Sequence, residues 1–422
     1  MPRLSPHSVR FTLLLGALVT LASFATDMGL PVLAATAASL GVTPGSAALT
    51  LGVFIAGFAF GPLLAGPLSD GYGRRPILLA GSAMFATFGA LAAFANSLDA
   101  LLVWRFLMGM GAGACQVTVI AMVRDLFSGA EARVKQSYVN MAAGVAPVIA
   151  PTVGVAIATM GGWRAIYGAL AAGGIVLVIV VAVWIGESAP RHATHTIVTA
   201  ISSYATVLRH RVTLGYILMI ALNFSCLFAY VSGSSLLLIG QFSVSRRVYG
   251  LLFAATSLGL MIGALTSARL NRRGITHARL IAWALGAIVS TSILLVVMTM
   301  LKWLNVWSLV SLAFIGFVGQ GVVRPNAMQG ALEPMAKMAG VASAMMSGVQ
   351  MLTGAAASAV VAALIDAWSA LAVTGMMAAC SAAAAGVYVL VVRPAERSRA
   401  SRQAGRSLDA TSSTVSTSAG LI

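Results

Sequence analysis

Two ionisable residues stand inside otherwise apolar runs of this chain. Asp27 lies in Ala25-Thr26-Asp27-Met28-Gly29-Leu30-Pro31, and Arg105 in Leu101-Leu102-Val103-Trp104-Arg105-Phe106-Leu107-Met108-Gly109-Met110-Gly111. A charge in such surroundings is costly, so each is a functional candidate by default. Burial penalises the charged carboxylate, which fits Asp27 to bind and release protons. Arg105 follows Asp99 closely in sequence and falls at a depth similar to that of Asp27. A pair between them would couple protonation of Asp27 to release of Arg105. An interface-level Asp27 and an Arg105 that snorkels outward remain the alternatives.

A second constellation is the turn Gly66-Pro67-Leu68-Ser69-Asp70-Gly71-Tyr72-Gly73-Arg74-Arg75-Pro76, flanked by long apolar runs. Gly71 and Gly73 can take the positive φ angles of a tight reversal. Pro76 can open the next helix. Asp70 precedes Arg74 by one helical turn, and Arg74 can also reach Asp125 in the Arg124-Asp125 pair further on. A third is Gly144-Val145-Ala146-Pro147-Val148-Ile149-Ala150-Pro151-Thr152-Val153-Gly154. Pro147 and Pro151 remove two helical hydrogen bonds on one face, and the small residues let another helix come close.

The elements that hold these residues follow from composition. The chain has 422 residues, 59% hydrophobic and 9% charged, against about 25% charged in a soluble domain. It reads as an all-α polytopic membrane protein, with room for about twelve spans at roughly 20 residues each. Spans are expected at 11–35, 47–69, 76–95, 99–123, 134–159 and 163–186, then at 213–239, 248–270, 276–301, 303–327, 338–364 and 368–391. The long loop 187–212 divides them into two six-helix bundles, 11–186 and 213–391. Residues 1–10 form a short cytoplasmic N-terminus. The basic, then Ser- and Thr-rich tail 392–422 is expected to be disordered and cytoplasmic. Small residues near Ala25 look like a cleavage site, but the apolar run continues through Leu33, so an uncleaved first span is expected.

The net charge of +16 sits between apolar runs, not on one soluble face, so it marks topology and contact with lipid headgroups and no nucleic-acid partner is expected. With both termini inside, most arginines are cytoplasmic, as the positive-inside rule requires; Arg246-Arg247 is the awkward exception. Cys115, Cys226 and Cys380 lie apart in apolar runs, and the five histidines fall in tails or loops. Neither a disulfide, a metal site nor a cofactor is expected. The spans lack a cluster of His, Glu and Asp at one depth, so no catalytic residue is expected and the chain is not read as an enzyme. Without a G-x-x-x-x-G-K-[ST] loop, the energy source is expected to be the proton gradient.

The 66–76 turn resembles motif A of the major facilitator superfamily through Gly66, Leu68, Asp70, Gly73, Arg74 and Arg75. The Arg105 segment resembles motif B through Leu101, Arg105, Gly109 and Gly111, with Met108 in place of the usual Gln. The 144–154 segment resembles the antiporter motif C in an Ala-Pro variant found in the Bcr/CflA (bicyclomycin and chloramphenicol resistance) branch. Thr26-Asp27-Met28-Gly29-Leu30-Pro31, Gly162-Trp163-Arg164-Ala165-Ile166-Tyr167 and Pro325-Asn326-Ala327 are similar to further signatures of that branch. Gly29 replaces the usual Tyr and implies a roomier cavity wall, with Phe54, Arg324 and Asn326 as further cavity candidates; Phe58, Phe224, Phe228 and Tyr230 are weaker ones. Gly263-Ala264-Leu265 with Arg272-Arg273-Gly274 is a faint echo of motif A, with Ser267 standing where the first copy has Asp70.

The resemblance implies a major facilitator fold and a functional monomer in the bacterial inner membrane. It implies proton-coupled export of small, mostly apolar drugs by alternating access, with Asp27 and Arg105 in proton coupling. It also implies that motif A (Gly66, Asp70, Gly73, Arg74, Arg75, with Asp125) locks the outward-facing state, and that Gly144, Pro147, Pro151 and Gly154 form the antiporter kink. A proton-coupled transporter of a sugar, amino acid or organic acid is the alternative.

Overall fold

A computed structural model of the chain describes residues 4–188 and 205–396. The described residues are helical throughout, apart from short turns. The helices are α1 (Val9–Asp27), α2 (Leu33–Leu40), α3 (Pro44–Tyr72), α4 (Arg74–Ala93), α5 (Leu98–Leu126), α6 (Gly129–Trp184), α7 (Arg211–Ser235), α8 (Arg246–Arg272), α9 (His277–Met300), α10 (Val306–Leu332), α11 (Ala339–Trp368) and α12 (Ala370–Val387). A 3₁₀ turn, Leu30–Val32, links α1 to α2, and the two helices cross as one interrupted span.

Eleven stretches among the described residues are long and apolar enough to cross a membrane. One of them, Gly129–Trp184, is two helices joined at a break. Gly161 (φ −172°, ψ 31°) and Gly162 (φ 65°, ψ −154°) leave helical geometry there, and Gly162 takes a left-handed angle that a side chain would oppose. Eleven stretches with one counted twice give twelve crossings, as composition predicts. Several span starts are fixed by polar caps. Ser8, Thr43, Ser97 and Ser245 accept hydrogen bonds from backbone N–H groups of the first turn, and Asn305 forms a reciprocal capping box with Ser308.

Helices α1 to α6 pack on one another, as do α7 to α12; α3 with α11 and α6 with α8 form the main seams between the two groups. Within each group close approach is bought with glycine. Gly57 and Gly61 of α3 face the Phe106 and Met110 carbonyls of α5, while Gly109 and Gly113 return the contact against the Phe54 and Phe58 carbonyls. In the other group Gly259 and Gly263 of α8 face Phe314 and Val318 of α10, and Gly321 faces the Leu260 carbonyl. Such backbone contact is how spans associate where lipid supplies no hydrophobic drive. It also corrects the expected register of the repeat. Gly263 occupies the place of Gly61, not Gly66, so Ser267 is not the counterpart of Asp70.

Residues 189–204, and with them most of the expected linker 187–212, lie outside the described residues, as does residue 397 onward of the expected tail.

Candidate functional site

Asp27 closes α1, where the chain leaves helical geometry for the 3₁₀ turn that carries Pro31. It is 6% exposed. Among the described residues no cation lies within ion-pair distance of it. The hydroxyl of neighbouring Thr26 is turned back to the carbonyls of Ala22 (3.0 Å) and Ser23 (2.9 Å).

Arg105 is buried at a similar depth, yet the expected pair with Asp27 does not form. Its Nη1 donates to the Ala25 carbonyl (2.9 Å) and its Nε to the Thr50 carbonyl (3.2 Å). Its guanidinium lies 4.3 Å from the centroid of the Phe54 ring and 5.6 Å from that of Tyr167. The carbonyl before the Thr26-Asp27 pair is thus an acceptor that the planar fork reaches without moving the carboxylate, and aromatic faces complete its surroundings. Arg105 also rules out outward snorkelling, since it is 3% exposed. Beside it lies a cavity of about 10 Å³, room for roughly one water, lined by Thr26, Gly29, Thr50, Trp163 and Tyr167 among others. Nothing described lies within 4 Å of the missing Gly29 side chain.

The 66–76 turn forms a compact charged cluster. Arg74 pairs with Asp70 one turn before it, donates from Nε to Asp125 Oδ2 (2.8 Å), and reaches Ser69 Oγ (2.7 Å). Its side chain is only 12% exposed. Gly73 supplies the positive φ (101°), whereas Gly71 stays inside α3 and needs none, which corrects the expectation for Gly71. Glu187 completes the cluster and was not singled out in the sequence. Its carboxylate accepts from the backbone N–H groups of Arg74 (2.8 Å) and Arg75 (3.2 Å), capping the start of α4. A side chain at Gly73 would collide with it. An acidic residue at the start of a basic loop was its only signal. Arg75 anchors separately, on the Ala182 carbonyl (2.7 Å). Gly66 stands in open space.

The 144–154 segment keeps both prolines inside α6. Its two glycines differ. A Cβ at Gly154 would press on the Met28 backbone (2.8 Å from Cα), and one at Gly250 of α8 would meet Thr152 Oγ1 (3.1 Å). Gly144 is exposed with nothing described within 4 Å, so it is not a point of close approach, contrary to expectation. The far end of this junction holds a contact that sequence gave no reason to seek: Tyr249 of α8 hydrogen-bonds Ser234 of α7 (3.0 Å), both buried.

Two expected cavity residues are buried among other side chains in this structure. Phe54 is 1% exposed beneath Arg105. Asn326 is also 1% exposed and binds Ser267 Oγ (2.7 Å), the Val322 carbonyl (2.7 Å) and Asn271 (3.0 Å), stitching α10 to α8. Arg324 of α10 is accessible to solvent yet densely surrounded by protein atoms, which leaves it a cavity candidate. No group of three His, Cys, Asp or Glu that could hold a metal occurs among the described residues.

The seams are tightest at the end opposite Arg74. There the Gly45 N–H donates to Asp366 Oδ1 (3.0 Å) and Gly52 lies against Ala355 and Ser358. At the Arg74 end, Gly66, Gly144 and Gly348 have open space where a side chain would stand, though Gly340 lies near Arg124.

Twelve crossings in two packed groups, with a buried carboxyl and a buried arginine in the first of them, define a multi-pass membrane transporter. The chain belongs to the Major Facilitator Superfamily, whose family model matches residues 14–358. It is 29% identical to multidrug resistance protein D of Escherichia coli over 82% of this chain and 86% of the relative. It is 30% identical to a bicyclomycin resistance protein homolog of Haemophilus influenzae over 84% and 89%. A solved bacterial homolog of the lysosomal transporter Spinster, inward-facing and occupied, shares the fold at a TM-score of 0.69 and 17% identity, over 93% of this chain and 98% of that one.

Proposed function

We propose that the protein exports small, mostly apolar drugs of the bicyclomycin or chloramphenicol kind in exchange for protons. The observation that carries this reading is Asp27: a buried carboxyl without a cation partner, at the break in α1 where α6 and α8 meet it. Such a group is cheap to keep neutral and costly to keep charged, so its proton can be traded against cargo. The names of the relatives support a drug as that cargo.

Alternating access would run through the two seams. Residues 11–186 and 213–391 act as the moving bundles, and the plasma membrane holds the monomer with both termini in the cytoplasm. In this orientation the tight seam faces outward, and the structure corresponds to a state sealed on that side. Asp70, Arg74, Asp125 and Glu187 tie the cytoplasmic ends of α3, α4 and α5 together, which lets that corner move as one piece. Arg105 holds the α1 break in place through Ala25 and positions Asp27 without neutralising it.

The experiment is transport in everted membrane vesicles from an efflux-deficient host, with a panel of labelled drugs and an imposed pH gradient. Wild type is expected to accumulate drug with the gradient, and Asp27→Asn to lose it while remaining in the membrane. Gradient-driven accumulation by Asp27→Asn would remove the proton-site assignment. Uptake of a sugar, amino acid or organic acid and of no drug would favour a metabolite transporter.

A further inference from the structure

The junction around Asp27 draws two buried tyrosines, Tyr230 and Tyr249, from the opposite bundle. The Leu30–Val32 turn after α1 touches both α7 and α8. Gly154 lets α6 lie on Met28, and Gly250 lets α8 lie on Thr152 of the same α6 segment. These two glycine contacts seat the end of α1 and the start of α8, which carries Tyr249, on one short stretch of α6. Tyr249 is close enough for its charge and that of Asp27 to interact. It is fully buried, and its phenol meets Ser234 Oγ of α7 at 3.0 Å.

The titratable or charged groups that face this junction are few. Helix α5 brings Arg105, which is committed to the Ala25 and Thr50 carbonyls. Helix α6 brings Tyr167, which lies over Arg105. Helix α7 brings Tyr230, which interacts electrostatically with Tyr249, and α3 brings the non-titratable Thr50. Of the two second-bundle phenols, Tyr249 is the one whose charge interacts with that of Asp27.

We infer that Tyr249 is a positioning residue that reads the charge state of Asp27 across the seam, its phenol pointing to Ser234 when the carboxyl is neutral and donating to the carboxylate when the proton leaves. The switch needs no covalent change. The phenol keeps its proton throughout, and the O–H changes acceptor between a neutral hydroxyl and a charged carboxylate, the stronger of the two. Loss of the Asp27 proton therefore draws α8 toward α1 and holds the seam at the end opposite Arg74. Regaining the proton returns the phenol to Ser234 and frees the seam to part. Proton exchange at Asp27 is an assumption shared with the proposed function; its coupling to α8 is the new element.

The test is an infrared pH titration of the purified protein in liposomes, following the carboxyl C=O band that disappears in Asp27→Asn. It needs no cargo, so its result is separate from whether the protein exports drugs. Tyr249→Phe keeps the ring and removes the donor, and is expected to raise the Asp27 titration midpoint by about one to two pH units. Ser234→Ala frees the phenol from its competing partner and is expected to lower the midpoint. An unchanged midpoint in Tyr249→Phe, or shifts of the same sign in both variants, would overturn the inference. Should Tyr249→Phe fail to reach the membrane, Ser234→Ala decides alone, and an unmoved midpoint there counts against the switch. If Asp27→Asn exports drugs normally while these opposite shifts are seen, the export reading fails and the Tyr249 switch stands.

Discussion

Arg105 Nη1 donates to the carbonyl of Ala25 at 2.9 Å, two residues short of the carboxylate it was expected to pair with. The arginine therefore fixes where the α1 break sits, and Asp27 stays electrostatically unmatched. Arg105→Lys keeps a positive charge but loses the two-armed reach to Ala25 and Thr50. Drug transport by Arg105→Lys is expected to fall by about tenfold or more, equivalent to roughly 1.4 kcal/mol, measured as initial uptake rate in everted vesicles. Rates equal to wild type would show that charge, not fork geometry, is what the site uses.

The two glycines of the 144–154 segment give opposite forecasts. Gly154 has the Met28 backbone where a Cβ would stand, while Gly144 has open space. Gly144→Ala is expected to be neutral or to stabilise by about 0.5–1 kcal/mol through helix propensity. Gly154→Ala is expected to cost about 1–3 kcal/mol through overpacking. Thermal unfolding of the two variants in detergent, run side by side, checks the difference, and equal Tm values would refute it.

Glu187 caps α4 beside the Asp70–Arg74–Asp125 cluster. Glu187→Gln keeps the shape but removes the charge at the helix start, with an expected loss of about 0.5–1 kcal/mol. Asp70→Asn is expected to slow turnover several-fold without changing which drugs compete for binding. Altered competition in Asp70→Asn would place that corner in the binding site and not in gating.

Asn326 of α10 binds two polar side chains of α8 at once, Ser267 and Asn271. Asn326→Ala leaves Ser267 and Asn271 short of a partner and is expected to cost about 1–3 kcal/mol. Because Asn326 lies inside the α8–α10 contact, the drug profile should not change. A susceptibility panel showing altered specificity at normal expression would return Asn326 to the cavity wall.

Much of the fold was legible because membrane burial imposes simple rules on sequence. Long apolar runs mark the crossings without reference to tertiary contacts, including the division between 134–159 and 163–186 where the chain breaks at Gly161-Gly162. Asp27, Arg105 and the Asp70–Arg75 turn stood out for the same reason: charge is conspicuous where lipid excludes it.

Partner choice was a different matter, because a side chain's partner depends on which helices cross and at what height. Arg105 chose a carbonyl over Asp27, Asn326 turned inward to Ser267, and Gly263 aligned with Gly61 in place of Gly66. Sequence alone determined that the chain crosses the membrane and where it carries charge. Only the packing of α1 and α8 on the same stretch of α6 decided that Asp27 would be left without a cation and within electrostatic reach of a tyrosine of the opposite bundle.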